Sequence, residues 1–183
     1  MGGVIVLAAA LALAGCGDDE PAAAPSGTRL QGGLLWQLSP PSGTHNQEQA
    51  RDYCAALKLA GHTDWRLPTI SELRSLVRGC PERQWGGACK VADPGCLTKG
   101  CWTAETCGHC KEKGGPAGGC YWEPGAWEGS CTDTWIYWTS SRFDKFVDHY
   151  WVVRFQGGGK FDDGVVGFNE ELGQGSVRCV RIP

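Results

Sequence analysis

Cysteine constrains this chain more than any other residue, because the 183 residues contain 11 of them. Cys16 stands apart near the N-terminus, and most of the others crowd into residues 80–131. Without Cys16 the count is ten, and an even number of cysteines in an exported chain predicts a disulfide framework, because oxidising compartments keep thiols paired. The cysteines expected to pair are Cys54, Cys80, Cys89, Cys96, Cys101, Cys107, Cys110, Cys120, Cys131 and Cys179.

The N-terminal segment indicates export. An apolar run over residues 1–15 ends at Cys16. It is too short for a permanent membrane-spanning helix, which needs roughly 20 residues, and it fits a secretory signal. Leu13-Ala14-Gly15-Cys16 resembles the lipobox of bacterial lipoproteins, in which the cysteine thiol receives a diacylglycerol. The resemblance implies a signal peptide, a lipid anchor at Cys16 and a place in the cell envelope, on the periplasmic side or the cell surface.

The rest of the chain is organised as a tether and one domain. Residues 16–30 are acidic and then rich in Ala, Pro and Ser, which predicts a flexible tether. Residues 31–183 have the length of a single domain. The formal net charge of -3 gives no general basic field for nucleic acid. The expected partners are the membrane, through the anchor, and a polysaccharide or surface protein.

Two helices are predicted before residue 80. A strand over residues 34–38 precedes them. The first helix begins at Asn46, where apolar residues recur at helical spacing, and ends at Gly61. The second follows the capping-box sequence Thr69-Ile70-Ser71-Glu72 and ends near Gly79.

Strands are predicted after the insert. Residues 80–131 are rich in Cys, Gly and Trp, which indicates a disulfide-stapled insert. The segments expected to form strands are 135–139, 150–155, 160–161, 165–168 and 176–182. Helices followed by strands predict an α+β fold with a mostly antiparallel β meander.

Four segments of the chain resemble the Lcl C-terminal domain family. They are WRLPTISEL (65–73), YWTSS (137–141), YWVVRFQGG (150–158) and VRCVR (177–181). The resemblance covers residues 33–78 and 132–182 and leaves the insert out. It implies a C-type-lectin-like mixed fold related to formylglycine-generating enzymes, with the terminal strands side by side. It also implies a Cys54–Cys179 bridge and, in the adhesin that names the family, binding of sulfated polysaccharide.

Metal and redox sites are the alternatives to disulfides in the insert. Cys107-Gly108-His109-Cys110, with Cys101 and Cys120, could form a four-sulfur zinc site or a redox couple. Zinc needs thiolates, which export disfavours, and a thioredoxin-like couple needs a strand leading into a helix. Glu123-Pro124-Gly125 and Trp138-Thr139-Ser140 lack the oxygens of a lectin calcium site. We therefore expect structural disulfides and no metal or cofactor.

The tryptophans of the insert carry the functional hypothesis. A stapled loop can present aromatic faces to sugars or to a protein, but a small disulfide-rich segment also uses Trp as its own core. Both alternatives stay open for Trp85, Trp102, Trp122 and Trp127.

We expect a non-catalytic, adhesin-like ligand-binding domain. The insert would be its recognition element, a self-contained cap that the fold does not need. Should the insert not bind, the site is expected near Arg154, Lys160 and Arg178. The alternatives are a formylglycine-generating-type enzyme that uses Cys179, and a structural envelope protein.

Overall fold

The structure is a computed structural model that describes residues 24–111, 114–128, 131, 136–157 and 165–183. The proposed signal peptide, Cys16 and most of the proposed tether lie outside these residues, as do Lys160 and Phe161. In the part of the chain that is described, no helix combines the length and hydropathy needed to cross a bilayer.

The first sheet joins the two ends of the domain. It contains β1 (Thr28–Gln31), β2 (Leu34–Gln37) and β6 (Val180–Arg181), in the order β1-β2-β6. β2 and β6 are antiparallel, with Trp36 opposite Val180. The terminal strands therefore lie side by side, as the family resemblance implied.

The start of the domain was predicted too late. β1 occupies residues assigned to the tether, so the first strand of the described residues begins at Thr28 and not after residue 30. Gly32 and Gly33 connect β1 to β2 with φ values of 61° and 75°. Two consecutive positive φ angles are typical of the tight hairpin turn that matches strand twist, and glycine adopts them without strain.

The second sheet is the predicted antiparallel meander. It contains β3 (Tyr137–Arg142), β4 (His149–Arg154) and β5 (Val165–Glu170), in the order β3-β4-β5. The last predicted strand, 176–182, is shortened to β6. Ser176 instead bridges in parallel to Tyr137 at the edge of this sheet, so the chain passes from one sheet to the other here.

Both predicted helices form, and each begins at a capping box. α1 (Gln47–Ala56) is capped by Asn46 and Gln49, and α2 (Ile70–Arg74) is capped by Thr69 and Glu72. Both end earlier than predicted. Leu57 is extended, so α1 stops well before Gly61. Beyond α2, tighter hydrogen bonds between residues three apart carry the chain to Val77.

The core consists of two clusters of buried side chains. The smaller packs α1 against β3 and β4 around Cys54, Trp138 and Val152. The larger contains Trp36, Leu73, Tyr137, Trp151, Val153 and Phe155 together with insert residues Val91, Cys107, Tyr121, Trp122 and Trp127. The expectation that the insert is a self-contained cap is therefore wrong, because its side chains complete the main core.

Candidate functional site

Five disulfides pair the ten cysteines predicted to be oxidised. Cys54–Cys179 joins α1 to the segment before β6, with Cα atoms 5.5 Å apart, as the family resemblance implied. The other four bridges lie within the insert: Cys80–Cys110, Cys89–Cys107, Cys96–Cys101 and Cys120–Cys131.

The C-x-x-C pair is structural in this arrangement. Cys107 and Cys110 are bonded to Cys89 and Cys80 and not to each other. Across the described residues, no three His, Cys, Asp or Glu side chains gather closely enough to hold a metal ion. The motif thus fastens one short segment of the insert to two others.

A buried arginine from α2 shapes the loop between Cys80 and Cys89. The Arg74 guanidinium donates to the carbonyls of Arg83, Gln84 and Cys89, each at 2.9 Å, and to that of Val91. Burial lowers the pKa of Arg74 to about 10, so the group stays charged at neutral pH. One cation thus holds the backbone on both sides of residues 85–88.

Trp85 lies at the outer end of this loop. It is 52% exposed, and the Arg74 guanidinium lies 6.0 Å from its ring centroid. Gly87 permits the tight loop, since a Cβ there would lie 2.2 Å from the Pro81 carbonyl oxygen. With disulfides at Cys80 and Cys89, the fold presents this indole on a backbone that is already ordered.

Trp102 is only partly accessible. Its indole nitrogen donates to the Val166 carbonyl at 2.6 Å, which fixes the ring against β5. The ammonium of Lys99 lies 3.9 Å from the ring centroid, so this ring already has a cation over its face.

Trp122 and Trp127 are core residues, with 5% and 8% of their surfaces exposed. Trp127 packs edge-on against Trp36, and Trp122 lies 5.5 Å from Phe155 between ring centroids. For these two rings the structure favours the alternative of an internal core over a presented aromatic face. The sequence did not distinguish the four tryptophans, because all lie in the same Gly- and Cys-rich context.

The alternative site around Arg154 and Arg178 also contains one core residue and one residue that lines a surface cleft. Arg178 is buried and its guanidinium lies 4.5 Å from the Trp127 ring centroid. Burial lowers its pKa, and its Nη1 donates to the carbonyls of Gln37 and Leu38. Arg178 therefore ties the last segment to β2. Arg154 lines an open cleft of about 360 Å³ on the second sheet, and Lys160 lies outside the described residues.

Comparison with known proteins gives the family. The model of the Lcl C-terminal domain matches residues 28–181, a range that begins at β1 and spans the insert. Neither the curated proteins nor the solved structures compared with the chain include a match. The matched range contains both sheets, both helices and all five disulfides, and the chain therefore belongs to the Lcl C-terminal domain family.

Proposed function

We propose that this protein is a non-catalytic, adhesin-like lipoprotein of the cell envelope that binds polysaccharide through the insert. The observation that carries the proposal is the half-exposed Trp85 on a loop held by Arg74 and two disulfides. A large indole face on an ordered backbone binds with little loss of conformational entropy. Such a face suits the apolar side of a pyranose ring.

An exposed lysine that follows the Trp85 loop in the chain supports an acidic polysaccharide. Lys90 is exposed directly after the loop, and the exposed Lys111 lies 3.4 Å from Glu82 between its ammonium and the carboxylate. Because Lys111 is paired with Glu82, Lys90 is the exposed cation offered here, and an ammonium can bind the sulfate or carboxylate groups of a sugar chain. The sulfated polysaccharide bound by the family's name-giving adhesin has this chemistry.

The Cys54–Cys179 bridge supports a binding module over the alternative of a formylglycine-generating-type enzyme. A cysteine near the last strand would need a free thiolate to bind a metal or react with oxygen. Cys179 is bonded and fully buried.

A glycan array with the full-length protein and its Trp85→Ala variant tests the proposal. We expect the wild type to bind acidic glycans and the variant to lose at least roughly tenfold in affinity, as for a central aromatic contact. Because Trp85 is exposed, the melting temperature of the Trp85→Ala variant should equal that of the wild type. Leu172→Ala, at another exposed apolar residue, is the matched control.

Three results would count against this function. Equal binding by the wild type and Trp85→Ala would show that the loop is not the binding site. Binding only to a surface protein would make the ligand a polypeptide. If neither glycans nor surface proteins bind, a structural envelope role would be favoured.

The anchor at Cys16 is part of the same proposal. Cys16→Ser removes the thiol that would carry the diacylglycerol, so the protein should move from the detergent phase to the aqueous phase in a partition assay. Detergent partitioning that survives the substitution would contradict lipidation at this residue.

A further inference from the structure

A second candidate site lies where the insert packs on β5, around the side chain of Lys99. The Lys99 ammonium lies 3.9 Å from the ring centroid of Trp102 and 5.2 Å from that of Phe168. A cation within about 6 Å of a ring centroid is attracted by the negative face of the ring. We call these two ring faces, which share one ammonium, the aromatic cage. It uses no residue of the Trp85 loop.

Both rings of the aromatic cage are held in place by other residues. The Trp102 indole nitrogen donates to the Val166 carbonyl on β5 at 2.6 Å. The Phe168 ring is stacked on that of Phe143, with 4.3 Å between the centroids, and packs edge-on against Trp151. Because Phe143 covers one face of Phe168, Lys99 lies over the other. The cage is therefore formed before any ligand binds, which lowers the entropic cost of binding.

The Lys99 side chain is an occupant of the aromatic cage that is free to leave. Lys99 is exposed, and within the described part of the chain its ammonium has no hydrogen-bond or ion-pair partner. Its backbone lies in a short 3-10 turn, Lys99–Cys101, that the Cys96–Cys101 bridge closes. The side chain can therefore swing out while the backbone stays in place. The space that opens is the space that the ammonium now fills.

A quaternary ammonium suits the aromatic cage better than a lysine does. A lysine ammonium has three N–H donors, and it must exchange water for ring faces that offer them no conventional acceptor. A quaternary ammonium has no donor to satisfy, and aromatic faces are the surfaces that recognise it. The cage therefore favours a ligand of the choline type over the primary amine that occupies it.

We propose that the aromatic cage binds a choline phosphate group, with the quaternary ammonium in the cage and the phosphate paired with the displaced Lys99. Outside the cage the Lys99 ammonium remains tethered beside it, and an ammonium and a phosphate form charge-assisted hydrogen bonds. Lys99 thus changes from a competitor of the ligand to a contact of the ligand. A lipid headgroup and a free choline phosphate ester both have this chemistry. The proposal does not depend on polysaccharide binding at Trp85.

The test titrates the full-length protein and its Lys99→Ala variant with choline chloride, phosphocholine and sodium phosphate. Both proteins carry Cys16→Ser, which removes the proposed anchor, and NMR shifts of the indole N–H groups report the affinity. We expect Lys99→Ala to bind choline at least about threefold more tightly than the parent protein, because its cage is empty. The parent protein should prefer phosphocholine over choline by at least about threefold, because Lys99 pairs with the phosphate. Lys99→Ala should lack this preference.

Lys145→Ala is the matched control. Lys145 is also exposed, but its ammonium lies over one ring only, 5.3 Å from the centroid of Phe146, so its removal should change neither affinity. Adding Phe168→Leu to Lys99→Ala removes one face of the cage and should abolish choline binding.

Vesicles distinguish the two sources of the ligand. Binding to phosphatidylcholine vesicles and not to phosphatidylglycerol vesicles would support the proposal with a lipid headgroup as the ligand, and phosphocholine binding without vesicle binding would support it with a free ester. Four results would each overturn it: no binding of phosphocholine by the parent protein, equal choline affinity with and without Lys99, phosphate binding as tight as phosphocholine binding, or choline binding that survives the loss of the Phe168 ring.

Discussion

At the scale of single residues, buried arginines hold this fold together. Arg74 and Arg178 are both almost fully buried, and each donates to backbone carbonyls from segments distant in sequence. Removing a cation from water costs several kcal/mol, which hydrogen bonds to the charged group must offset. A planar guanidinium can do this because it serves several carbonyls at once. Arg74 and Arg178 therefore supply hydrogen-bond donors to the backbone carbonyls of loops, a role that backbone N–H groups fill in helices and sheets.

Arg74→Met should lower the free energy of unfolding by at least about 3 kcal/mol, because it leaves several buried carbonyls without a donor. Urea denaturation with the disulfides intact measures this. Arg51→Met is the control, since Arg51 is exposed and bridges to Glu48 and Asp52 at the surface; its free energy of unfolding should stay close to that of the wild type. If both variants lose the same amount, Arg74 does not hold the loop.

At the scale of elements, the insert acts as a layer of the core. Its four bridges connect only its own residues, which by itself suggests an independent unit. Its packing shows the opposite. Tyr121 continues the backbone pairing of the domain by donating to the Phe155 carbonyl, and Trp127 packs on Trp36 of β2.

Replacing residues 82–130 with a short Gly-Ser linker should abolish the cooperative thermal transition. The change exposes the faces of Trp36, Tyr137 and Phe155 that the insert covers, and loss of several large buried side chains exceeds the stability of a typical domain. Calorimetry compares the trimmed chain with Trp85→Ala, which removes only an exposed ring of the insert. A trimmed chain that melts cooperatively near the wild-type temperature would restore the idea of a separable cap.

At the scale of the whole molecule, one bridge closes nearly the entire domain. Cys54 and Cys179 are 125 residues apart, whereas Cys89 and Cys107 are 18 apart. Both bridges are buried. They therefore differ mainly in the length of chain that they constrain in the unfolded state.

Removing Cys54–Cys179 by a double substitution to Ala should cost about 5 kcal/mol, and removing Cys89–Cys107 about 3 kcal/mol. The larger loop loses more unfolded-state entropy when it is closed. Urea unfolding of the two double variants gives the comparison. An equal or larger loss for Cys89–Cys107 would show that local packing, and not loop length, sets the contribution.

Local chemistry in the sequence determined the helix starts, the meander and the oxidised state of the cysteines. Asn46, Thr69 and Glu72 bond within their own turn, so their effect can be read without knowing the fold. The hairpin of β1 and β2 was also readable from Gly32-Gly33. It was missed because the Ala- and Pro-rich segment before it suggested a tether.

Only the tertiary structure decided which tryptophans are buried, how the insert cysteines pair, and where the two candidate sites lie. Trp85 and Trp127 have similar neighbours in sequence, but one is exposed beside Arg74 and the other lies between Trp36 and Arg178. Trp102 and Phe168 lie on separate segments of the chain, and their rings meet at Lys99 only in the folded protein. These features arise from contacts between residues far apart in the chain, and no local pattern of residues specifies such contacts.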